Sequence, residues 1–144
     1  MRQTPAKFTL FTVWDEYSPN IHPWRVNFVP VRGEKTMAIT VNIRYTGKNS
    51  TARRFAEEMI SGGTVNLIRS EVGNLRYEYY QSLDDPETVL LIDAWTDQAA
   101  IDVHHASPMM ATIATLREKY DLHMTVERYV VDEENGVDER YIRK

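Results

Sequence analysis

The sequence predicts an α+β domain: an antiparallel four-stranded sheet with its helices on one face, in the order strand, helix, strand, strand, helix, strand of a split βαβ plan. Three observations predict it. The stretch "ITVNIRY", Ile39 to Tyr45, alternates strictly between apolar and polar residues, as a strand with one buried face does. Two further strand-like runs, "LRYEYYQSL" and "TVLLIDAW", are separated only by "DDPE", a turn whose Pro pre-sets the bend, and so form a hairpin. Apolar residues recur at helical spacing in the two segments between and after these strands.

In chain order, Ile39, Val41, Ile43 and Tyr45 line one face of the first strand, and Thr40, Asn42 and Arg44 the other. "TGKN" ends it, and Ser50 or Asn49 caps a helix that carries Ala52, Phe55, Ala56, Met59 and Ile60 at helical spacing. Gly62 and Gly63 each cost a helix about 1 kcal/mol relative to Ala, so a break is expected before Val65 to Ser70 resumes. In the second strand Leu75, Tyr77 and Tyr79 are expected to share a face. After the third strand Asp97 caps a helix that Pro108 interrupts, and Met109, Ile113, Leu116 and Tyr120 mark a second amphipathic piece. "DLHMTVERYVV" closes the sheet as the fourth strand.

At 144 residues the chain has the length of one core domain. Its formal net charge is −4, with acids and bases interspersed, which argues against nucleic acid or an anionic membrane as partner. There is no Cys, so disulfides, thiolate nucleophiles and thiolate metal sites are excluded, in keeping with a reducing compartment. The opening "MRQTPAKFTLFTVW" lacks the apolar core of a signal peptide, and no apolar run reaches membrane-spanning length, so the cytoplasm is the expected location. The four His, at 22, 104, 105 and 123, show no metal-ligand spacing, and "SGGTV" falls inside helical sequence rather than after a strand. No metal, flavin or nucleotide cofactor is therefore expected.

A sheet covered by helices on one side leaves the other bare. That face is expected to carry Asn42, Arg44, Asp93 and Trp95 among apolar neighbours, a mixture that suits an interface or a ligand pocket. A second copy of the sheet would enclose it.

The segment "RSEVGNLRYEYYQSLDDPETVLLIDAWTDQAAIDVHHASPMM" resembles the antibiotic biosynthesis monooxygenase family, quinol monooxygenase-like members included. The likeness rests on Glu71, Gly73 and Tyr77 at the opening of the second strand, Asp93 and Trp95 at the end of the third, and His104, Ser107 and Pro108 after it. It extends from Met37 to about Val131. The resemblance implies a dimeric α/β barrel of two ferredoxin-like sheets, with a pocket between sheet and helices or in the barrel lumen. It also implies a homodimer acting on a small aromatic molecule, a quinol or other phenol, with molecular oxygen as co-substrate. An electron-rich phenolate can itself reduce O2, so the protein needs only a dry pocket, a base and orienting donors.

His104 and His105 lie about 100° apart on a helix and cannot share a pocket. The family pattern selects His104, as base or hydrogen-bond donor; the competing reading is that it braces the Pro108 break through a backbone carbonyl. Trp95 offers a flat wall to an aromatic ligand or else a core anchor. Asn42 completes the catalytic candidates; Arg44, Tyr77 and Asp93 are the candidate substrate contacts, with Asp93 alternatively pairing with Arg44. Haem-degrading relatives share an Asn like Asn42 and a Trp like Trp95, but need an axial His where "ATIATLREKY" places Ala114, which argues against haem. Isomerisation of a small ketone, and a non-catalytic dimeric ligand-binding or stress-response module, are the remaining alternatives.

Residues 1–36 lie outside the resemblance. They are too aromatic for a disordered tail, and form either a hairpin over a sheet edge or an upstream reading ahead of a physiological start at Met37. The tail 132–144 is charged, with a turn and a short surface helix expected.

Overall fold

The computed structural model describes residues 37–131 and 140–144. The expectations for residues 1–36, and for most of the tail, fall outside them. Eight elements follow in order: β1 Ile39–Thr46, α1 Thr51–Ser61, α2 Thr64–Arg69, β2 Asn74–Gln81, β3 Thr88–Trp95, α3 Gln98–His105, α4 Met109–Lys119 and β4 His123–Val130. The strands form one antiparallel sheet in the order β2-β3-β1-β4, the ferredoxin-like arrangement.

Each helical leg is broken where its sequence forbids continuation. Between α1 and α2, Gly63 takes φ +81, a left-handed conformation that glycine adopts without strain. Between α3 and α4, Pro108 has no N–H to extend the first helix and instead precedes the second. Asp97 caps α3, its side chain accepting the Ala100 N–H at 2.8 Å. Ser50 is the residue before α1, but its side chain makes no cap bond; its own N–H donates to Glu87 Oε2 at 2.9 Å, tying the helix start to the β2–β3 turn.

One apolar layer lies between sheet and helices. Ala52, Phe55, Ala56 and Met59 of α1 are buried at spacings of three and four. Ile60, at the margin of that stripe, is exposed. Val65, Ile68, Ile113 and Leu116 add to the same core, in which each fully buried large side chain contributes about 1.5–3 kcal/mol. Opposite them the sheet presents Ile39, Val41, Ile43 and Tyr45 from β1 and Val89, Leu91, Asp93 and Trp95 from β3.

Register decides which side chains share a face. Val41 opposes Asp93, and Ile39 opposes Trp95, so both β3 residues point toward the helices with the core residues of β1. Asn42 opposes Ile92, and Arg44 opposes Leu90, on the other face. The expectation that all four share the bare face is therefore corrected: Asn42 and Arg44 are there, Asp93 and Trp95 are not. Leu75 is also displaced. A register shift between Asn74 and Arg76 takes it out of the ladder, leaving it exposed while Tyr77 and Tyr79 keep the helix face.

β4 pairs with β1 along its whole length, yet every one of its residues is exposed. Met124, Val126, Tyr129 and Val130 are its large apolar side chains. No helix among the described residues is long and apolar enough to cross a membrane.

Candidate active site

The third strand and third helix meet where β3 ends, and chemistry-bearing residues collect there under the helices. Trp95, the last residue of β3, is fully buried. The α3 helix starts three residues later, and its last turn brings His104 back over that Trp: the ring centroids lie 4.8 Å apart with planes inclined by 32°. His104 is buried and His105 exposed, as the 100° step between neighbours requires. The two imidazoles still approach to 5.9 Å.

His104 does not brace the Pro108 break through its ring. Its Nδ1 lies 2.6 Å from Glu71 Oε2, in a turn 33 positions earlier in the chain. A carboxylate only accepts, so Nδ1 carries the proton, and in the neutral ring the lone pair is then on Nε2. Among the described residues no hydrogen bond engages Nε2. Glu71 was noted in the sequence only as part of a family pattern; nothing in its local spacing points to a helix so distant in the chain.

Asp93 stands two residues before Trp95 on the same face, opposite Tyr77 of β2. Burial pushes its carboxyl up to about 6; the Trp95 indole and His104 pull it back, and Glu71 adds to the rise. The indole stops short of a hydrogen bond: Trp95 Nε1 and Asp93 Oδ1 are both buried without a partner, as is Ser107 Oγ beyond the end of α3. Asp93 does not pair with Arg44, which lies across the sheet. Burial likewise raises the Tyr45 phenol to about 12 and pushes that of Tyr77 higher still, so both remain protonated at neutral pH.

Buried polar atoms without partners cost stability, and Asp93 makes that cost measurable. Its folded pKa lies above the ordinary 3.8, so between the two values the folded chain binds more protons than the unfolded one. Stability from this group therefore falls as pH rises through that window, and the full cost is carried above about pH 6. Asp93→Asn is expected to stabilise the protein near pH 7.5 by about 2–3 kcal/mol at most and to flatten the dependence between about pH 4 and 6. Urea denaturation at both ends of the window checks it; an Asn variant less stable at neutral pH would contradict it.

Of the candidates from the sequence, the structure gathers His104, Trp95, Asp93 and Tyr77 on the helix side of the sheet and adds Glu71. It places Asn42 and Arg44 on the opposite side, where Asn42 Oδ1 is a further buried atom without a partner. Among the described residues no three His, Asp or Glu side chains converge as metal ligands do.

Comparison with known proteins places the chain and its fold. No curated protein matches the chain. A protein of Pseudomonas aeruginosa has a similar solved structure, with a TM-score of 0.60 and 21% identity over 69% of this chain and 99% of that one. SnoaB of Streptomyces nogalater, described as a cofactor-independent oxygenase, gives 0.58 and 17% over 69% and 98%. A conserved protein of Methanosarcina mazei gives 0.55 and 25% over 65% and 92%. The likeness to the first two carries the fold. Residues 38–116, more than half of the chain, match the family model for antibiotic biosynthesis monooxygenases, and the chain belongs to that family.

Proposed function

We propose that this protein is a cofactor-independent monooxygenase of a quinol or other phenolic or polycyclic aromatic small molecule, with O2 as co-substrate. The observation that carries the reading is the buried group at the end of β3: His104 held through Nδ1 and stacked on Trp95, beside three polar atoms without partners. Membership of the family supports it. So does the fold shared with SnoaB, itself described as cofactor-independent.

Nε2 of His104 takes the phenolic proton, and the Trp95 indole N–H and the Ser107 hydroxyl supply donors to the developing anion. The anion passes one electron to O2; the resulting radical and superoxide couple at a ring carbon that bears hydrogen, forming a C–O bond. Loss of water from that peroxide leaves a carbonyl. One quinol and one O2 thus give one hydroxyquinone and one water. The burial of Trp95 and His104 keeps solvent from this end of β3.

A homodimer in the cytoplasm completes the proposal. The exposed apolar residues of β4 and the mixed face carrying Asn42 and Arg44 suit a second copy of the sheet, and in that arrangement these two residues would line the lumen, across the sheet from His104. Light scattering at micromolar concentration would give twice the 16.8 kDa chain mass; the monomer mass would refute it.

A second reading is favoured by one observation: Trp95 and His104 are only 0% and 4% exposed, as core side chains are, which suits a dimeric module that binds a ligand elsewhere and does not turn it over. Oxygen uptake beside a thermal-shift screen with quinols, flavonoids and polyphenols separates the two. Uptake with a shifted substrate supports the oxygenase; a shift without uptake supports the binding module.

A further inference from the structure

We infer that Glu71 is a positioning residue for His104, fixing the imidazole in the tautomer that keeps Nε2 free of a proton. The inference rests on the reading of His104 as the base.

The pair is built rather than incidental. Glu71 Oε2 sits 2.6 Å from Nδ1, with the His104 side chain 4% and the Glu71 side chain 13% exposed. The turn that carries Glu71 is clamped at both ends. Its N–H donates to Ile68 O at 3.0 Å, and its carbonyl accepts the Asn74 N–H at 3.1 Å. Two residues on, the Gly73 carbonyl accepts the Thr96 N–H at 2.9 Å, fastening the turn to the junction of β3 and α3. Gly73 adopts φ +90, and a Cβ there would stand 2.5 Å from Ala100 Cβ and 2.8 Å from Thr96 Oγ1, so only glycine lets the turn approach α3 so closely. That same junction launches α3 through the Asp97 cap and so aims His104. Carboxylate and imidazole are thus referred to one rigid point, and the Trp95 ring closes one face of the imidazole.

A carboxylate on Nδ1 does two things for a base: it selects the tautomer with a bare Nε2, and it stabilises the imidazolium formed when Nε2 takes a proton. A side chain that merely fills space does neither. Glu71→Gln keeps the size but can turn its amide N–H toward Nδ1, which favours the tautomer protonated on Nε2. In that state the ring is no base at the substrate side.

The experiment is long-range 1H–15N correlation of the His104 ring in 15N-labelled protein, with exposed His105 as internal reference, together with kcat and KM of the variant. In the wild type a protonated Nδ1 and bare Nε2 are expected above the titration of the ring. In Glu71→Gln the proton is expected on Nε2, with kcat lowered by about 10²-fold or more and KM little changed. A wild-type ring protonated on Nε2 would overturn the assignment, and so would a Glu71→Gln protein that keeps both the Nδ1–H tautomer and kcat. The wild-type spectrum decides the matter even if the variant does not fold. Absence of oxygen uptake by the wild type on every phenol tried would sink the monooxygenase reading instead, and the ring spectrum would still report on Glu71 by itself.

Discussion

His104→Ala is expected to reduce turnover by about 10²–10⁴-fold, the range that a positioned general base contributes. The residue has the placement of a base: it is buried against Trp95, its Nδ1 is committed to Glu71, and its Nε2 is free of bonds among the described residues. Stability is also expected to fall, by about 1–3 kcal/mol, because the truncation strips Glu71 of its partner while that carboxylate stays largely covered. A small loss of that kind leaves the protein folded at room temperature, so rate and stability can be read separately. His105→Ala supplies the control, since that side chain is exposed on the same helix and should change neither. Equal effects from the two variants would remove the case for a site at His104.

Trp95→Ala is expected to cost about 3–5 kcal/mol of folding stability, the usual price of truncating a fully buried large aromatic. The ring is both the end of the core layer and the platform beneath His104, so the cavity left behind also frees the imidazole to tilt. Trp95→Phe should cost much less. A flat ring remains under His104, and the lost indole N–H has no partner in the fold to leave unsatisfied. Urea midpoints of the two variants check the order. If Trp95→Ala costs under about 1 kcal/mol, the ring is not part of the core and the packing described around His104 is wrong.

Much of the fold was legible in the sequence because local chemistry decides it. The alternation from Ile39 to Tyr45 marks β1, the glycine pair at 62 and 63 breaks the first helical leg, and Asp97 and Pro108 delimit α3. What the sequence left open is what depends on pairing between distant segments. "TVLLIDAW" is apolar on both sides, Val89 and Leu91 on one and Leu90 and Ile92 on the other, so its pattern does not say which face Asp93 and Trp95 take. Only the register with β1 sends them under the helices, away from Asn42 and Arg44. Leu75 left the ladder for a similar reason: a register shift is a property of two strands. Within the site, helical geometry separates His104 from His105, whereas the link to Glu71 spans 33 positions and appears only once the turn between α2 and β2 is brought against α3.

The oxygen chemistry is tested most directly by supplying 18O2 in ordinary water to the metal-free protein with a quinol that shifts its melting temperature, and weighing the product. Incorporation of one labelled oxygen per product molecule is expected, with the second leaving as water and with the reaction lost in His104→Ala. A product whose new oxygen comes from solvent, or labelled product formed equally well by His104→Ala, would contradict it.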